Sequence, residues 1–159
     1  MWQIEQHPVK GRIVVATQEI RHGETVVSAR LVRQVEQRDR YSLQKAENMH
    51  IYVDEPGILF SHSCEPNLGL RDNAEAFDFV AAADIAAGTE LTFHYGMSEI
   101  YSVAVDACAC GSSRCAGRSV GFAEMTPDER AADGVGCEPV RHADPQCAAN
   151  RLIYLISEQ

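Results

Sequence analysis

Three cysteines lie close together in the chain, in a segment whose composition suits the binding of a metal ion. Cys108, Cys110 and Cys115 are interspersed with glycine and serine, which let the backbone fold tightly and offer little apolar core for a thiol. A structural zinc ion usually has four protein ligands, so this trio requires one more. Cys64, in the segment 60–67, is the natural fourth ligand. The sequence therefore predicts a structural zinc site that joins two distant segments.

The other two cysteines, Cys137 and Cys147, flank His142 at loose spacings, and we expect them to be free thiols. The chain starts without a basic leader, and its apolar stretches are too short to span a bilayer. These features predict an intracellular, cytoplasmic protein, or a nuclear one in a eukaryote, that does not contact the membrane. In such a compartment, six cysteines are more consistent with reduced thiols or metal ligands than with disulfides.

The net charge of the protein excludes few classes of binding partner. A formal net charge of −9 disfavours direct binding of nucleic acid, because phosphate recognition depends on cationic contacts. The acidity is compatible with a basic peptide partner, but a surface that is merely well solvated is the favoured interpretation. The length of 159 residues and the hydrophobic share of 45% are typical of one folded domain.

The elements that must position these residues are mainly short strands in the first two thirds of the chain. Runs rich in β-branched and aromatic residues, separated by turn residues, fall at 13–16, 25–27, 49–53, 68–70, 77–80 and 90–93. The first two runs flank a turn at 21–24 and indicate a hairpin. The segment 38–47 fits a helix and a strand about equally well.

The clearest helix signal comes after these strands. Thr126 and Glu129 form a capping-box pattern around Pro127, which predicts a short helix ending at Gly134. Beyond it, we expect a loop at 136–146 and a small apolar closing element at 152–156.

Four segments of the sequence, taken in order, resemble a SET domain with its post-SET tail. They are the pair Gly11-Arg12 opening a strand, FSHSCEPN at 60–67, ELTFHYG at 90–96, and the cysteine trio. The resemblance implies a mainly β fold: small antiparallel sheets with a knot-like crossing, short helices and a zinc-bound C-terminal post-SET segment. It implies a SET domain at 1–107, a post-SET zinc-binding segment at 108–117, and a C-terminal extension at 118–159 that carries the short helix and packs on the same domain.

The resemblance also implies an activity, the transfer of a methyl group from S-adenosylmethionine to a lysine amine of a protein or peptide. Six residues would contact this cofactor. Lys10, Gly11, Arg12 and Ile13 would lie along its methionine part, while Ser61 and His62 would present backbone groups to its adenine.

Methyl transfer at a sulfonium carbon requires a neutral amine aligned with the reacting bond. A narrow apolar channel and the neighbouring sulfonium charge both lower the pKa of a lysine amine, so little acid–base machinery is needed. By resemblance, Tyr95 is the catalytic tyrosine whose hydroxyl orients the methyl group and the amine. Phe93 would line the substrate channel and permit more than one methyl addition. Tyr41 is a candidate wall residue of the same channel.

Three residues depart from the family pattern near the expected site. Ile13 stands where a second glycine is common, Ser61 replaces a common asparagine, and His94 replaces an aspartate. We expect His94 to be an exposed histidine at the end of a strand. The segment 28–37 also lacks the family's tyrosine-glycine signature. Two alternatives therefore stay open: a noncatalytic, zinc-stabilised interaction module with the same fold, and a methyltransferase that acts on a small-molecule acceptor.

Overall fold

The computed structural model describes residues 1–132 of the chain, and strands dominate this part. The strands are β1 (Trp2–His7), β2 (Gly11–Ala16), β3 (Thr25–Ser28), β4 (Leu31–Val35), β5 (Leu43–Ala46), β6 (Met49–Val53), β7 (Ser61–His62), β8 (Leu68–Asp72), β9 (Phe77–Ala81) and β10 (Thr92–Phe93). The other elements are short 3-10 helices at Gly57–Leu59, Tyr95–Met97 and Phe122–Glu124, and the helix α1 (Pro127–Ala132). The predicted mainly β class is confirmed. No helix within residues 1–132 is long and apolar enough to cross a bilayer.

The strands form three small sheets. β1 and β2 make an antiparallel hairpin, and β4, β6 and β5 make a second antiparallel sheet. The third sheet has the order β3-β9-β8-β10-β7. Its strands β3, β9 and β8 pair antiparallel, whereas β10 runs parallel to both of its neighbours. The predicted small, mostly antiparallel sheets are confirmed.

The parallel pairings place β10 between two strands that follow one another in the chain. Phe93 of β10 lies opposite His62 of β7 on one side and opposite Leu68 of β8 on the other. The loop that joins β7 to β8 therefore crosses over β10. In this loop, the Asn67 side chain donates a hydrogen bond of 2.7 Å to the Glu90 carbonyl and accepts one of 2.9 Å from the first amide of β10. This arrangement confirms the predicted knot-like crossing.

An aromatic cluster in the core stabilises this crossing. The largest fully buried side chains include Phe60, Phe77, Phe79, Ile20, Ile51, Leu68 and Leu91. The ring centre of Phe79 is 4.6 Å from that of Phe60 and 5.3 Å from that of Phe93. Because burial of a phenylalanine contributes about 1.5–3 kcal/mol, these contacts hold β7, β9 and β10 together.

The hairpin predicted from segments 13–16 and 25–27 is wrong. β2 pairs along its whole length with β1, from Trp2 opposite Ala16 to the far end of the hairpin, while β3 pairs with β9 in another sheet. The connection between β2 and β3 contains Ile20, which is fully buried and pairs with a residue outside both strands. Ile20 bridges Ile85 through two backbone hydrogen bonds of 2.9 and 2.8 Å.

The undecided segment 38–47 contains a turn followed by strand β5. The Asp39 side chain accepts hydrogen bonds of 2.9 and 3.1 Å from the amides of Tyr41 and Ser42, which stabilises the turn. The strand then pairs antiparallel with β6. The capped turn depends on neighbouring residues. The formation of a strand rather than a helix at β5 depends on pairing with β6, which follows later in the chain.

The capping box at the start of α1 is confirmed. Thr126 Oγ1 accepts a hydrogen bond of 3.2 Å from the Glu129 amide, and Glu129 Oε2 accepts one of 2.7 Å from the Thr126 amide. Just before the helix, Met125 is buried in the core. The predicted helix end at Gly134, the loop at 136–146, the closing element at 152–156 and the thiols Cys137 and Cys147 lie outside the described residues.

Candidate active site and metal centre

Four thiols from two distant segments converge at one point. The sulfur atoms of Cys64, Cys108, Cys110 and Cys115 all lie within 4.8 Å of one another. In a tetrahedral site with Zn–S bonds of about 2.3 Å, sulfurs stand about 3.8 Å apart, so this cluster is close to zinc-binding geometry. The predicted convergence of these cysteines is confirmed, and the donor set fits a structural Zn²⁺.

The pKa values of the clustered thiols shift in different directions. Burial raises the pKa of the Cys64 and Cys108 thiols. The pKa of Cys110 is lowered: burial opposes this, but backbone hydrogen bonds at Cys64 and Ser112 favour the thiolate. Four adjacent thiolates would repel one another strongly, whereas a divalent ion stabilises all of them together.

The loop that carries three of the cysteines is built by backbone contacts. The Cys108 amide donates to the Gly117 carbonyl at 2.8 Å, and the Gly117 amide donates to the Cys115 sulfur at 3.4 Å. The Ser112 hydroxyl donates to Glu65 Oε2 at 3.2 Å and so ties the loop to the segment of Cys64. These contacts help to bring the two cysteine-bearing segments together independently of a metal ion.

A cavity of about 650 Å³ lies beside this centre. Its walls include five of the six residues predicted to contact the cofactor and all three predicted catalytic and channel residues: Lys10, Gly11, Arg12, Ser61, His62, Tyr41, Phe93 and Tyr95. The continuous segment 102–109, which ends within the cysteine loop, forms another wall. Ile13 is buried, with 6% exposure, and does not line the cavity.

Two cations at this cavity are held by acidic partners. Lys10 Nζ donates to Glu90 Oε2 at 2.6 Å. The Arg12 guanidinium donates to both carboxylate oxygens of Glu55, at 2.8 and 2.6 Å. Between them, Gly11 has a φ of +79°, a left-handed conformation that favours glycine. The start of β2 therefore has a fixed backbone course along the cavity wall.

Tyr95 presents a protonated hydroxyl in the cavity. The hydroxyl donates a hydrogen bond of 3.1 Å to the Phe60 carbonyl. Burial raises the pKa of Tyr95 to about 12, and the charge of Glu90 acts in the same direction. The group therefore stays protonated near neutral pH, and its oxygen can accept a hydrogen bond while its proton is engaged.

The two predicted channel residues differ greatly in exposure. Phe93 is 3% exposed, and its ring centre lies 4.8 Å from that of Tyr95. Tyr41 is 57% exposed and lies where the cavity opens to solvent. Phe93 is thus a fixed part of the cavity wall, whereas Tyr41 sits at its rim.

The expectation that His94 is exposed is wrong. Its exposure is only 2%, and burial lowers its pKa to about 4, so the imidazole is neutral at physiological pH. Its Nδ1 accepts a hydrogen bond of 3.0 Å from the Gly96 amide. The buried Met125, which lies farther along the chain, packs beside this position: a Cβ on Gly96 would come within 2.7 Å of its sulfur. Burial at this position therefore depends on residues that are remote in sequence.

Glu99 is a cavity residue that the sequence did not indicate. It is 6% exposed, and its Oε1 accepts a hydrogen bond of 2.8 Å from the Gln44 amide. Burial raises the pKa of Glu99 to about 7 and lowers that of His50, whose Nε2 lies 3.6 Å from Glu99 Oε2. Near pH 7 the Glu99 carboxyl is therefore only partly ionised and the His50 imidazole is mainly neutral, so this contact is not a strong ion pair. Nothing in the local sequence signals a contact across 55 positions.

Comparison with known protein families identifies the family of this fold. Residues 11–96, more than half of the chain, match the SET domain. The chain belongs to the SET domain family. In this SET domain, the match spans the strand that opens at Gly11, the crossing of β7 with β10, and Tyr95.

A curated relative is similar to this chain over a limited stretch. Histone-lysine N-methyltransferase ASHH2 of Arabidopsis thaliana is 37% identical over 65 residues, which are 38% of this chain and 4% of that protein. The chain thus spans a small fraction of the length of this curated relative.

Solved structures share the fold. KRYPTONITE in complex with mCHH DNA, H3(1-15) peptide and SAH superimposes with a TM-score of 0.60 at 24% identity, over 74% of this chain and 29% of that one. The methyltransferase domain of human histone-lysine N-methyltransferase SETMAR gives a TM-score of 0.56 at 17% identity, over 76% of this chain and 58% of that one. At these identities the similarity establishes the fold alone.

Proposed function

We propose that this SET domain transfers a methyl group from S-adenosylmethionine to a lysine amine of a protein or peptide. The observation that carries the proposal is the composition of one cavity wall. Lys10 just before β2, Gly11 and Arg12 at its start, His62 from β7 and Tyr95 after β10 all border the same 650 Å³ space. We also propose that 108–117 acts as the post-SET segment, because the wall formed by 102–109 runs into the cysteine cluster.

Cofactor binding in this proposal uses the cations and backbone of the first hairpin. Lys10 and Arg12 supply positive charge beside the cavity, suited to the carboxylate of the methionine part. The left-handed conformation of Gly11 lets the backbone approach a ligand closely, since no Cβ intervenes. Ser61 and His62, which form β7, would offer backbone groups to the adenine. When bound, S-adenosylmethionine supplies an electrophilic methyl group on a sulfonium.

The catalytic task left to the protein is to align a neutral amine with that methyl group. Phe93 and Tyr95 provide a rigid aromatic wall, with ring centres 4.8 Å apart, which restricts the approach of the lysine side chain. An apolar wall disfavours the ammonium form and so lowers the pKa of the incoming amine. The wall thereby favours both the position and the protonation state that displacement requires.

Tyr95 acts as an orienting group in this proposal. Its proton is directed to the Phe60 carbonyl at 3.1 Å, so its lone pairs remain available to accept hydrogen bonds. With a pKa of about 12, the hydroxyl does not become a general base near neutral pH. Its role is to accept contacts from the methyl group and the amine as the transition state forms.

The choice of acceptor is supported by the relatives. The curated relative is named a histone-lysine N-methyltransferase, and one structural neighbour was solved with an H3(1-15) peptide. A basic peptide would also suit a chain with a net charge of −9. A nuclear or other intracellular location is part of this proposal.

Two assays test the function. Isothermal titration with S-adenosylhomocysteine should show binding at about one site per chain. A radiolabelled methyl group should then transfer to lysine-containing peptides of an array, and not to the same peptides with arginine in place of lysine. Absence of binding would favour the noncatalytic module, and labelling of small amines without peptides would favour the small-molecule acceptor.

A further inference from the structure

The imidazole of His62 lies between the cysteine cluster and Tyr95. It is 4% exposed, and both of its ring nitrogens face protein atoms. Nε2 lies 3.4 Å from the sulfur of Cys64, and Nδ1 lies 3.3 Å from the backbone nitrogen of Tyr95. One side chain therefore contacts both a predicted zinc ligand and the predicted catalytic residue.

The two contacts define the protonation of the ring. The Tyr95 amide can only donate, so Nδ1 must be an unprotonated acceptor. The proton of the neutral imidazole is then on Nε2, from which it is donated to the Cys64 sulfur. Hydrogen bonds of this kind stabilise a thiolate relative to a thiol and so favour metal binding.

The backbone explains why one ring can make both contacts. His62 is the last residue of β7, and Cys64 follows it two positions later in a bend, where its sulfur comes within 3.4 Å of the ring. The pairing of His62 with Phe93 brings the end of β10 alongside, and the Ser63 amide donates to the Phe93 carbonyl at 3.1 Å. The rings of His62 and Tyr95 are 5.2 Å apart. The knot-like crossing itself therefore creates the link.

We propose that His62 is a positioning residue that couples occupancy of the zinc site to the placement of Tyr95. A metal-bound Cys64 thiolate fixes the Nε2–H tautomer and the orientation of the ring. The ring in turn holds the Tyr95 amide, and with it the point from which the tyrosine side chain enters the cavity. The coupling to turnover rests on the proposed function, whereas the coupling to the metal does not.

Two variants separate the two halves of the link. In His62→Asn, a side-chain oxygen can take the place of Nδ1 and accept from the Tyr95 amide, but no group reaches Cys64. In His62→Gln, the longer amide can donate toward Cys64, but its acceptor near the Tyr95 amide is lost. The variants are compared with wild type in zinc content, in the rate of zinc transfer to a chromogenic chelator, and in the thiolate-to-metal absorption band of the cobalt-substituted protein.

Opposite patterns are expected for the two variants. His62→Asn should release zinc about 10–100-fold faster and shift the cobalt band, as expected for loss of a hydrogen-bonding partner of a metal ligand. His62→Gln should keep wild-type zinc release, yet lower kcat about tenfold with little change in KM, because Tyr95 is misplaced. Wild-type behaviour of His62→Asn in all metal measurements would overturn the proposal.

A measurement on the wild-type protein avoids any folding defect of the variants. Long-range ¹⁵N–¹H correlation of the imidazole should show the Nε2–H tautomer in the zinc-loaded protein, and removal of zinc should shift the Tyr95 amide resonance. An Nδ1–H tautomer, or a Tyr95 amide that does not respond to zinc, would disprove the coupling. Because these readouts need no turnover, failure of the proposed methyl transfer would be recognised separately.

Discussion

The hydroxyl of Tyr95 donates a hydrogen bond of 3.1 Å to the carbonyl of Phe60, across 35 positions of the chain. Phe60 immediately precedes β7, whose two residues line the cavity, so the tyrosine is anchored to the segment that would bind the adenine. This contact uses the only proton of the hydroxyl, so its oxygen can act only as a hydrogen-bond acceptor toward other groups. It therefore fixes the orientation in which Tyr95 can assist methyl transfer.

Replacement of Tyr95 by phenylalanine tests this role. Tyr95→Phe removes only the hydroxyl, so affinity for S-adenosylhomocysteine should remain close to that of wild type. The value of kcat should fall on the order of 100-fold, because an oriented hydrogen-bonding group is lost from the transition state. Titration calorimetry and steady-state kinetics measure the two effects. Full retained activity would refute the assignment.

The number of methyl groups added should depend on Phe93. In Phe93→Tyr, a new hydroxyl would enter the space beside Tyr95, where it can bind the amine or a water and exclude further methylation. Products in a mass-spectrometric time course should therefore shift toward monomethyl-lysine. Phe93→Leu, which adds no polar group, is the control and should not show that shift. An unchanged product ladder in Phe93→Tyr would eliminate the idea.

The cofactor role of Gly11 can be separated from backbone strain. Gly11 and Gly88 both have positive φ, +79° and +84°, and a Cβ added at either position would meet no other atom within 4 Å. An alanine at either position should destabilise the protein by about 1–2 kcal/mol, because the left-handed region disfavours a Cβ. Of the two, Gly11 alone lines the cavity. We expect Gly11→Ala, and not Gly88→Ala, to weaken S-adenosylhomocysteine binding, and equal affinities would exclude this role.

Zinc should be required for the stability of the crossing. Elemental analysis should find about one zinc ion per chain, and chelation should lower Tm. Cys115→Ser should lose the ion, because three thiols cannot complete the site. Cys137→Ser is the matched control, since that residue is predicted to be a free thiol, and should retain full zinc content. Stoichiometric zinc in Cys115→Ser would contradict the ligand assignment.

Stability should depend on pH through Glu99. Its folded pKa of about 7 lies above the ordinary value of 4.5, so the folded state holds the proton more tightly than the unfolded state. This contribution is complete below pH 4.5 and is lost as pH rises through 7. The total is about 3 kcal/mol at most. Glu99→Gln removes the titrating group, so it should gain stability relative to wild type between pH 5 and pH 8.

Denaturant unfolding at several pH values measures this difference. Glu124→Gln serves as the control: burial opposes ionisation there, but the Gly121 amide and Arg118 lower the pKa of Glu124 below its ordinary value. Its difference from wild type should be nearly constant between pH 6 and pH 8. A constant difference for Glu99→Gln over the same range would show that the Glu99 carboxyl is already ionised.

Local chemistry made part of the protein predictable. The caps of α1 depend on Thr126 and Glu129 within one turn, and the β8–β9 hairpin joins two short runs that contain β-favouring residues through a short turn. Such features can be read from neighbours in the chain. The spacing of the cysteine trio can also be read locally. A four-ligand zinc site, however, needs one more residue from another part of the chain.

The sequence by itself indicated the four cysteines that converge and, through its resemblance to the SET domain, the segments that meet in the crossing and the positions of Phe93 and Tyr95 on the cavity wall. Only the tertiary structure decided that β2 pairs with β1, that Ile13 is buried and does not line the cavity, and that His94 and Glu99 are buried. These outcomes depend on strand partners and covering segments far away in the chain. Desolvation by such remote neighbours, which sets the pKa of a buried group, has no local signature in the residues themselves.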